Sequence, residues 1–207
     1  MSELSTSKSV ERAYRAYAPI YDQLFGAVLG HGRKALARAV IGLKPATLLE
    51  VGIGTGLMLD LYPEGTRLTG IDLSPHMLAR AQARAHALAN REIHLELADA
   101  EKMAFPDASF DCVTLPYVLS VTPDPARLVA EVRRVCKKGG HIIVLNHFSG
   151  SPFWWLLERG VRSVADRVGF RSDFVYEEHI LTHDWQVESV QSVNLFGLSK
   201  LVVLRNV

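Results

Sequence analysis

The sequence predicts an α/β fold built on a mostly parallel sheet of seven strands, with helices on both faces and an antiparallel last strand. Three observations carry this. Leu48-Leu49-Glu50-Val51-Gly52-Ile53-Gly54-Thr55-Gly56 reads as a buried strand that stops at a glycine-lined turn before a helix. Strand patterns ending in an acid recur at Asp72 and again before Asp99. Strand and helix patterns alternate from about residue 47 to 147, an order that demands right-handed crossovers.

The elements follow in order. Residues 5–42 read as helices interrupted at Pro19 and near Gly30 to Gly32, an N-terminal helical lid. Strands are expected at about 47–52, 67–72, 93–97, 110–116 and 140–147. Between them lies a helix over 75–89, with Ser74 as cap and Pro75 in its first turn. Another spans 124–136, and Lys137-Lys138-Gly139-Gly140 closes it with the cations and glycines a helix terminus wants. Strands at 185–194 and 198–205, joined through Phe196-Gly197, make an antiparallel edge hairpin. At 207 residues the chain suits one domain: lid 1–44, core 45–147, substrate-cap insertion 148–184 and C-terminal hairpin 185–207.

The glycine turn narrows the ligand. A dinucleotide fingerprint needs its third glycine three places after the second, and Leu57 stands there; Gly56 comes one place too early. No Lys-Ser/Thr pair follows, so a phosphate-cradling loop is disfavoured. Glu50 at the root of the turn is a poor neighbour for phosphate and a good one for a cation or an amine. Asp72, twenty residues after Gly52, can accept hydrogen bonds from both ribose hydroxyls of a nucleoside lying across the strand ends.

At these residues the chain resembles class I S-adenosylmethionine-dependent methyltransferases. The stretch Glu50–Gly56, then Gly70-Ile71-Asp72-Leu73-Ser74-Pro75-His76-Met77-Leu78, then Ala98-Asp99-Ala100-Glu101 through Asp111 look like that family's first three motifs. With the Lys137–Gly140 turn the likeness covers about residues 45–147. The resemblance implies a Rossmann-like sheet and S-adenosyl-L-methionine as cofactor, with S-adenosyl-L-homocysteine as product. It implies that Gly52, Gly54 and Gly56 approach the methionine moiety beside Glu50, and that Asp72 holds the ribose. Asp99 and Ala100 would contact the adenine, Leu73 and Met77 would pack around it, and Tyr17 and Pro116 complete the set.

Composition bounds the rest. No charged start with an apolar stretch and cleavage site is visible, and no run of about 18 apolar residues occurs, so neither a signal peptide nor a membrane span is expected. The net charge of +1 carries no nucleic-acid footprint. Cys112 and Cys136 sit in apolar patterns and read as buried thiols rather than a disulfide or metal site.

The acceptor must be read outside the core. Residues 1–44 carry seven lysines and arginines against three acids, a balance of +4, beside Tyr14, Tyr17, Tyr21 and Phe25. That combination suits either an anionic membrane surface or a lid resting on its own core. The tandem Trp154-Trp155, opening a helical pattern, looks like an interfacial anchor or the rim of a substrate mouth. Together they point to a lipidic acceptor and to a cytoplasmic protein held peripherally at the inner face of the cell membrane.

The resemblance sharpens here. Tyr14-Arg15-Ala16-Tyr17-Ala18-Pro19-Ile20-Tyr21-Asp22, Phe25 to Arg33, Asn146-His147-Phe148 and Asn194-Leu195-Phe196-Gly197 look like Rhodobacter-type phosphatidylethanolamine N-methyltransferases. They are also similar to ubiquinone/menaquinone C-methyltransferases. The first resemblance implies stepwise methylation of phosphatidylethanolamine toward phosphatidylcholine, the second C-methylation of a prenylated quinone. An alkylammonium with a pKa near ~10.4 costs roughly 4–5 kcal/mol to neutralise at pH 7, so a base or a desolvating pocket must help. His147, at the end of the fifth strand, is the candidate base, and Tyr21 the candidate guide for the amine; Tyr176 and His179 are looser candidates. A cofactor-binding regulatory module without turnover is the reading from a different class.

Overall fold

The structure, a computed structural model, describes residues 29–146, 185–194 and 197–207. Its elements are α1 (Gly30–Leu43), β1 (Thr47–Val51), β2 (Arg67–Asp72), α2 (Pro75–His86), β3 (Ile93–Leu97), β4 (Phe110–Pro116), α3 (Pro125–Val135), β5 (Cys136–Asn146), β6 (Trp185–Val193) and β7 (Ser199–Asn206). The seven strands form one sheet in the order β3-β2-β1-β4-β5-β7-β6. β1 to β5 run parallel, and β7 is antiparallel to both β5 and β6. The fold class is the one the sequence predicts.

Neighbouring residues of the central strands feed opposite faces, as the pleat requires. Leu49, Val51, Val113 and Leu115 pack with Leu128, Val129, Val132 and Val135 of α3. Leu48, Cys112, Ile143 and Leu145 pack on the other face with Leu36 and Val40 of α1 and Leu78 and Ala81 of α2. Burial on both faces explains why β1 and β4 read as nearly unbroken apolar runs.

Both crossover helices start as their sequence asks. Ser74 Oγ accepts from Met77 N at 3.4 Å, and Asp124 Oδ1 accepts from Arg127 N at 3.0 Å, each with proline in the first turn. α2 stops at His86, short of the expected residue 89, because Ala87 and Leu88 bond back three residues, to Arg84 O and Ala85 O, and tighten the chain out of the helix.

α1 begins at Gly30, within the stretch expected to interrupt the helices, and the residues before 29 lie outside the described ones. Two other boundaries differ. β1 ends at Val51, because Gly52 already turns away with φ +69°. Lys137-Lys138-Gly139-Gly140, expected to cap α3, belongs to β5 as a bulge: β4 advances from Phe110 to Cys112 while β5 advances from Cys136 to His141. The turn before β4 and a side chain of β7 satisfy carbonyls at the end of α3 in place of a glycine cap. Ala108 N donates to Arg134 O, Ser109 N to Val135 O, and Asn206 Nδ2 to Arg133 O and Cys136 O.

Candidate functional site

The strand order reverses between β1 and β4, and ligands of open α/β sheets bind outside the carboxyl ends of the strands at such a point. The parallel register aligns Val51 with Ile71 and Asp72 with Leu97, so the ends of β1, β2 and β3 share one edge. The glycine turn folds over that edge. Ile53 N donates to Ile71 O at 2.9 Å, and Gly54 N donates to Asp72 Oδ2 at 2.8 Å. The other oxygen of Asp72 accepts from Ser74 N at 2.8 Å, so one carboxylate ties the turn to the cap of α2. Burial pushes the Asp72 carboxyl up, and these backbone donors pull it back.

The glycines divide the work. A Cβ on Gly52 would stand 2.4 Å from Val118 Cγ2, and one on Gly56 would press Leu59 Cδ1 and the Ala81 backbone of α2. A Cβ on Gly54 would meet nothing within 4 Å. Gly52 and Gly56 therefore serve packing, while Gly54 opens backbone to the space outside the strand ends.

Glu50 is 1% exposed, and its Oε2 finds no hydrogen-bond partner among the described residues. Burial, opposed by a hydrogen bond with Tyr62, raised by Asp72 and opposed by Arg33 of α1, pushes its carboxyl up to about 8. Tyr62, itself buried, sits 3.0 Å from Thr114 Oγ1 of β4. An orphaned buried acid at the foot of a glycine turn has an acceptor to offer a cationic donor.

Apolar surface completes the edge. Leu73 is 59% and Leu97 56% exposed, just after β2 and at the end of β3, where a flat ring could cover them. These features fit S-adenosyl-L-methionine: an amine-seeking acid, open backbone at Gly54, a ribose-competent carboxylate and an apolar platform.

Comparison with known proteins decides the family. The family described as Methyltransferase domain matches residues 49–144. A phosphatidylethanolamine N-methyltransferase of Cereibacter sphaeroides is 38% identical over 186 residues, covering 88% of this chain and 89% of that one. This chain belongs to the S-adenosylmethionine-dependent methyltransferases. A demethylmenaquinone methyltransferase of Thermus thermophilus is 36% identical over 136 residues, 62% of this chain and 61% of its own. The crystal structure of a geranyl diphosphate C-methyltransferase from Streptomyces coelicolor, solved with S-adenosyl-L-homocysteine, overlays with a TM-score of 0.67. At 14% identity over 84% of this chain and 80% of that one, it shows the shared fold.

Glu50, Gly52, Gly54, Gly56, Asp72 and Leu73 lie together at this edge, with Gly54 alone of the three glycines facing open space. Met77 is 5% exposed and lies in the core rather than on the open edge. Asp99 is exposed, with its Oδ1 accepting from Glu101 N at 2.9 Å, and Ala100 packs half-buried against the core. Pro116 ends β4 in register with Leu145. Tyr17, Tyr21, His147, Trp154, Trp155, Tyr176 and His179 lie outside the described residues. An open cleft of about 430 Å³ lined by Lys44, Asp111, Lys137 and Lys138 sits at the opposite, amino-terminal ends of β1 and β4 and takes no part in this site.

Four residues at this edge had no role assigned from sequence: Tyr62, Thr114, Tyr117 and Leu97. Tyr117 (φ +63°) and Asn194 (φ +64°) are left-handed residues bonded to each other, Asn194 Nδ2 to the Tyr117 hydroxyl at 2.9 Å. Asn194 also donates to Ser199 Oγ at 2.8 Å and accepts from Gly32 N at 2.7 Å, tying the β6–β7 turn to the start of α1. Asn194→Ala removes these three bonds and leaves alanine in a left-handed backbone, which together cost roughly 3 kcal/mol. Urea unfolding should show that loss, with Asn194→Gly recovering its backbone share.

Proposed function

We propose that this methyltransferase transfers methyl groups to the amine of phosphatidylethanolamine, and to its mono- and dimethyl forms, toward phosphatidylcholine at a membrane surface. The observation that carries this reading is the reach of the similarity. The match to the Cereibacter enzyme spans 88% of the chain, well outside the core at 49–144, whereas the Thermus quinone enzyme matches 62%. C-methylation of a prenylated quinone is the second reading, favoured by that 36% identity.

In this reading Asp72 accepts from the ribose hydroxyls, and Leu73 and Leu97, with Asp99 and Ala100 alongside, bound the adenine. Glu50 receives the ammonium of the methionine moiety, and Gly54 lets backbone approach it. Gly52 and Gly56 hold the turn, Met77 supports it from the core, and Tyr17 and Pro116 border the same ligand. The cofactor, when bound, supplies a methyl group already activated on a cationic sulfur. The chain then has to strip the acceptor ammonium of its proton and hold the amine in line. His147 follows the last residue of β5 and takes that proton; Tyr21 offers its ring face and hydroxyl to the amine. The lone pair so freed is what the chain would present to that activated methyl group.

Residues 1–44 and the Trp154-Trp155 segment supply the lid and the contact with an anionic surface in this proposal, at the inner face of the cell membrane. Among the described residues, no helix is long and apolar enough to cross a membrane. Purified protein with labelled S-adenosyl-L-methionine and phosphatidylethanolamine/phosphatidylglycerol liposomes should yield lipids heavier by one, two or three methyl groups. His147→Ala should slow that transfer by ~10²–10⁴. Cofactor binding with no lipid product, and product with a demethylated quinone, would replace this reading by the second.

A further inference from the structure

We propose that Glu50, buried with one carboxyl oxygen unpartnered, is stored as a neutral acid in the cofactor-free protein, and that cofactor binding expels that proton. The inference deepens the cofactor placement above and rests on it.

Burial sets the argument. Glu50 is 1% exposed, and its Oε2 has no hydrogen-bond partner among the described residues. A carboxylate there would keep a charged oxygen out of water with no donor, so the site of the cofactor-free protein suits the neutral acid. Tyr62, equally buried, lies 3.0 Å from Thr114 Oγ1 in a bond that either oxygen can donate, and Thr114 Oγ1 lies 3.3 Å from Leu49 O. The Tyr62 hydroxyl can therefore turn from Thr114 to Glu50, and its bond to Glu50 favours the ionised form.

The surroundings agree. Asp72 from β2 faces Glu50 with like charge and Arg33 from α1 with opposite charge, while burial outweighs both and holds the carboxyl up to about 8. Cys112 of β4, near Tyr62, is pushed far up by burial and stays a thiol. An ammonium placed against Oε2 reverses the balance: the carboxylate becomes the favoured form, Tyr62 turns its hydroxyl to it, and one proton leaves the site. Tyr62 is thus a positioning residue, acting on the cofactor through Glu50.

Calorimetric titration with S-adenosyl-L-homocysteine at pH 6.5, in buffers of different ionisation enthalpy, reads the proton directly. A free α-amino group with pKa ~7.7–8.0 is already charged there, so it adds little to the count. About one proton should be released per ligand by the natural protein and none by Glu50→Gln. Affinity should rise by up to about tenfold per pH unit from pH 6 to 7.5, and stay flat in Glu50→Gln. Tyr62→Phe removes the bond that stabilises the ionised form, so its affinity should fall at pH 6.5 and its rise should move to higher pH.

A readout on the free protein needs no ligand. Because the folded chain holds a proton that unfolded Glu loses near 4.5, stability present below that pH should decline as pH rises toward about 8. Glu50→Gln should flatten that component of the melting-temperature profile. Ligand binding with no buffer-dependent heat overturns the inference and leaves the cofactor reading intact. An absence of binding by the natural protein overturns the cofactor reading itself.

Discussion

Asp72→Asn lowers the affinity for S-adenosyl-L-methionine by about 10²-fold, raising the cofactor KM while kcat at saturation changes little. The size follows from what the carboxylate does. Its two oxygens accept separately from Gly54 N and Ser74 N, each at 2.8 Å, which leaves further lone pairs for two ribose hydroxyls. Asparagine keeps one acceptor oxygen. Whichever way the amide points, its NH₂ faces either Gly54 N–H or Ser74 N–H, and one hydroxyl loses a charged acceptor. Exchanging charged hydrogen bonds for a neutral one and a missing one costs about 3 kcal/mol, hence ~10² in binding. Because ribose contacts of the proposed placement would hold in ground and transition states alike, the loss belongs in KM. Isothermal titration with steady-state kinetics separates this from a catalytic role; a collapse of kcat with unchanged affinity would contradict it.

What the sequence discloses about such a site depends on how local the cause is. β2, β3 and β4 match their expected bounds because each is a short strand pattern, alternating in β3 and nearly unbroken in β4, stopped by an acid or a turn. Asp72, Gly52 and Gly54 were legible for the same reason: the strand end and the turn that place them are written in consecutive residues. β5 was misjudged at its start because cations and glycines after a helix look alike whether they cap it or bulge the next strand. The distinction lies in the partner strand, where the pairing of Cys136 with Phe110 is made. Tyr62 and Thr114 carried no signal at all. They stand 52 residues apart in sequence, and in isolation each is an ordinary core residue. Asn194 was visible as part of a short motif, yet its work, holding Gly32 across 162 residues, is purely tertiary.

The same logic separates Asp99 from Asp72. Both follow strands and both looked like ligand acids. Asp72 is tied by two backbone donors into the glycine turn, whereas Asp99 bonds Glu101 N two residues on and remains exposed. Glu101 in turn accepts from Thr122 Oγ1 at 2.6 Å and Asp124 N at 2.8 Å, so this acid segment also steadies the start of α3. The exposed Leu97 beside it is the more informative neighbour for an aromatic ring, since apolar surface left open at a strand end has little structural reason to be there.

Gly54→Ala and Gly52→Ala should fail in different ways, and the contrast tests where the ligand sits. Both glycines hold left-handed backbone, at φ +56° and +69°, so alanine costs about 1–2 kcal/mol at either. At Gly52 the new methyl would also stand 2.4 Å from Val118 Cγ2, in the packing between the turn and the segment after β4. Relief requires movement of Val118 or of the turn, and overpacking of that kind adds roughly 1–3 kcal/mol. Gly52→Ala should therefore lose about 2–5 kcal/mol of unfolding free energy, and cofactor binding with it. At Gly54 the methyl enters open space, so the free protein should lose only the backbone share. If the methionine moiety approaches that backbone, the same methyl stands in its way and affinity should fall by at least tenfold while stability stays within about 2 kcal/mol of the parent. Gly54→Ala that binds S-adenosyl-L-methionine as well as the parent would place the ligand elsewhere along the edge.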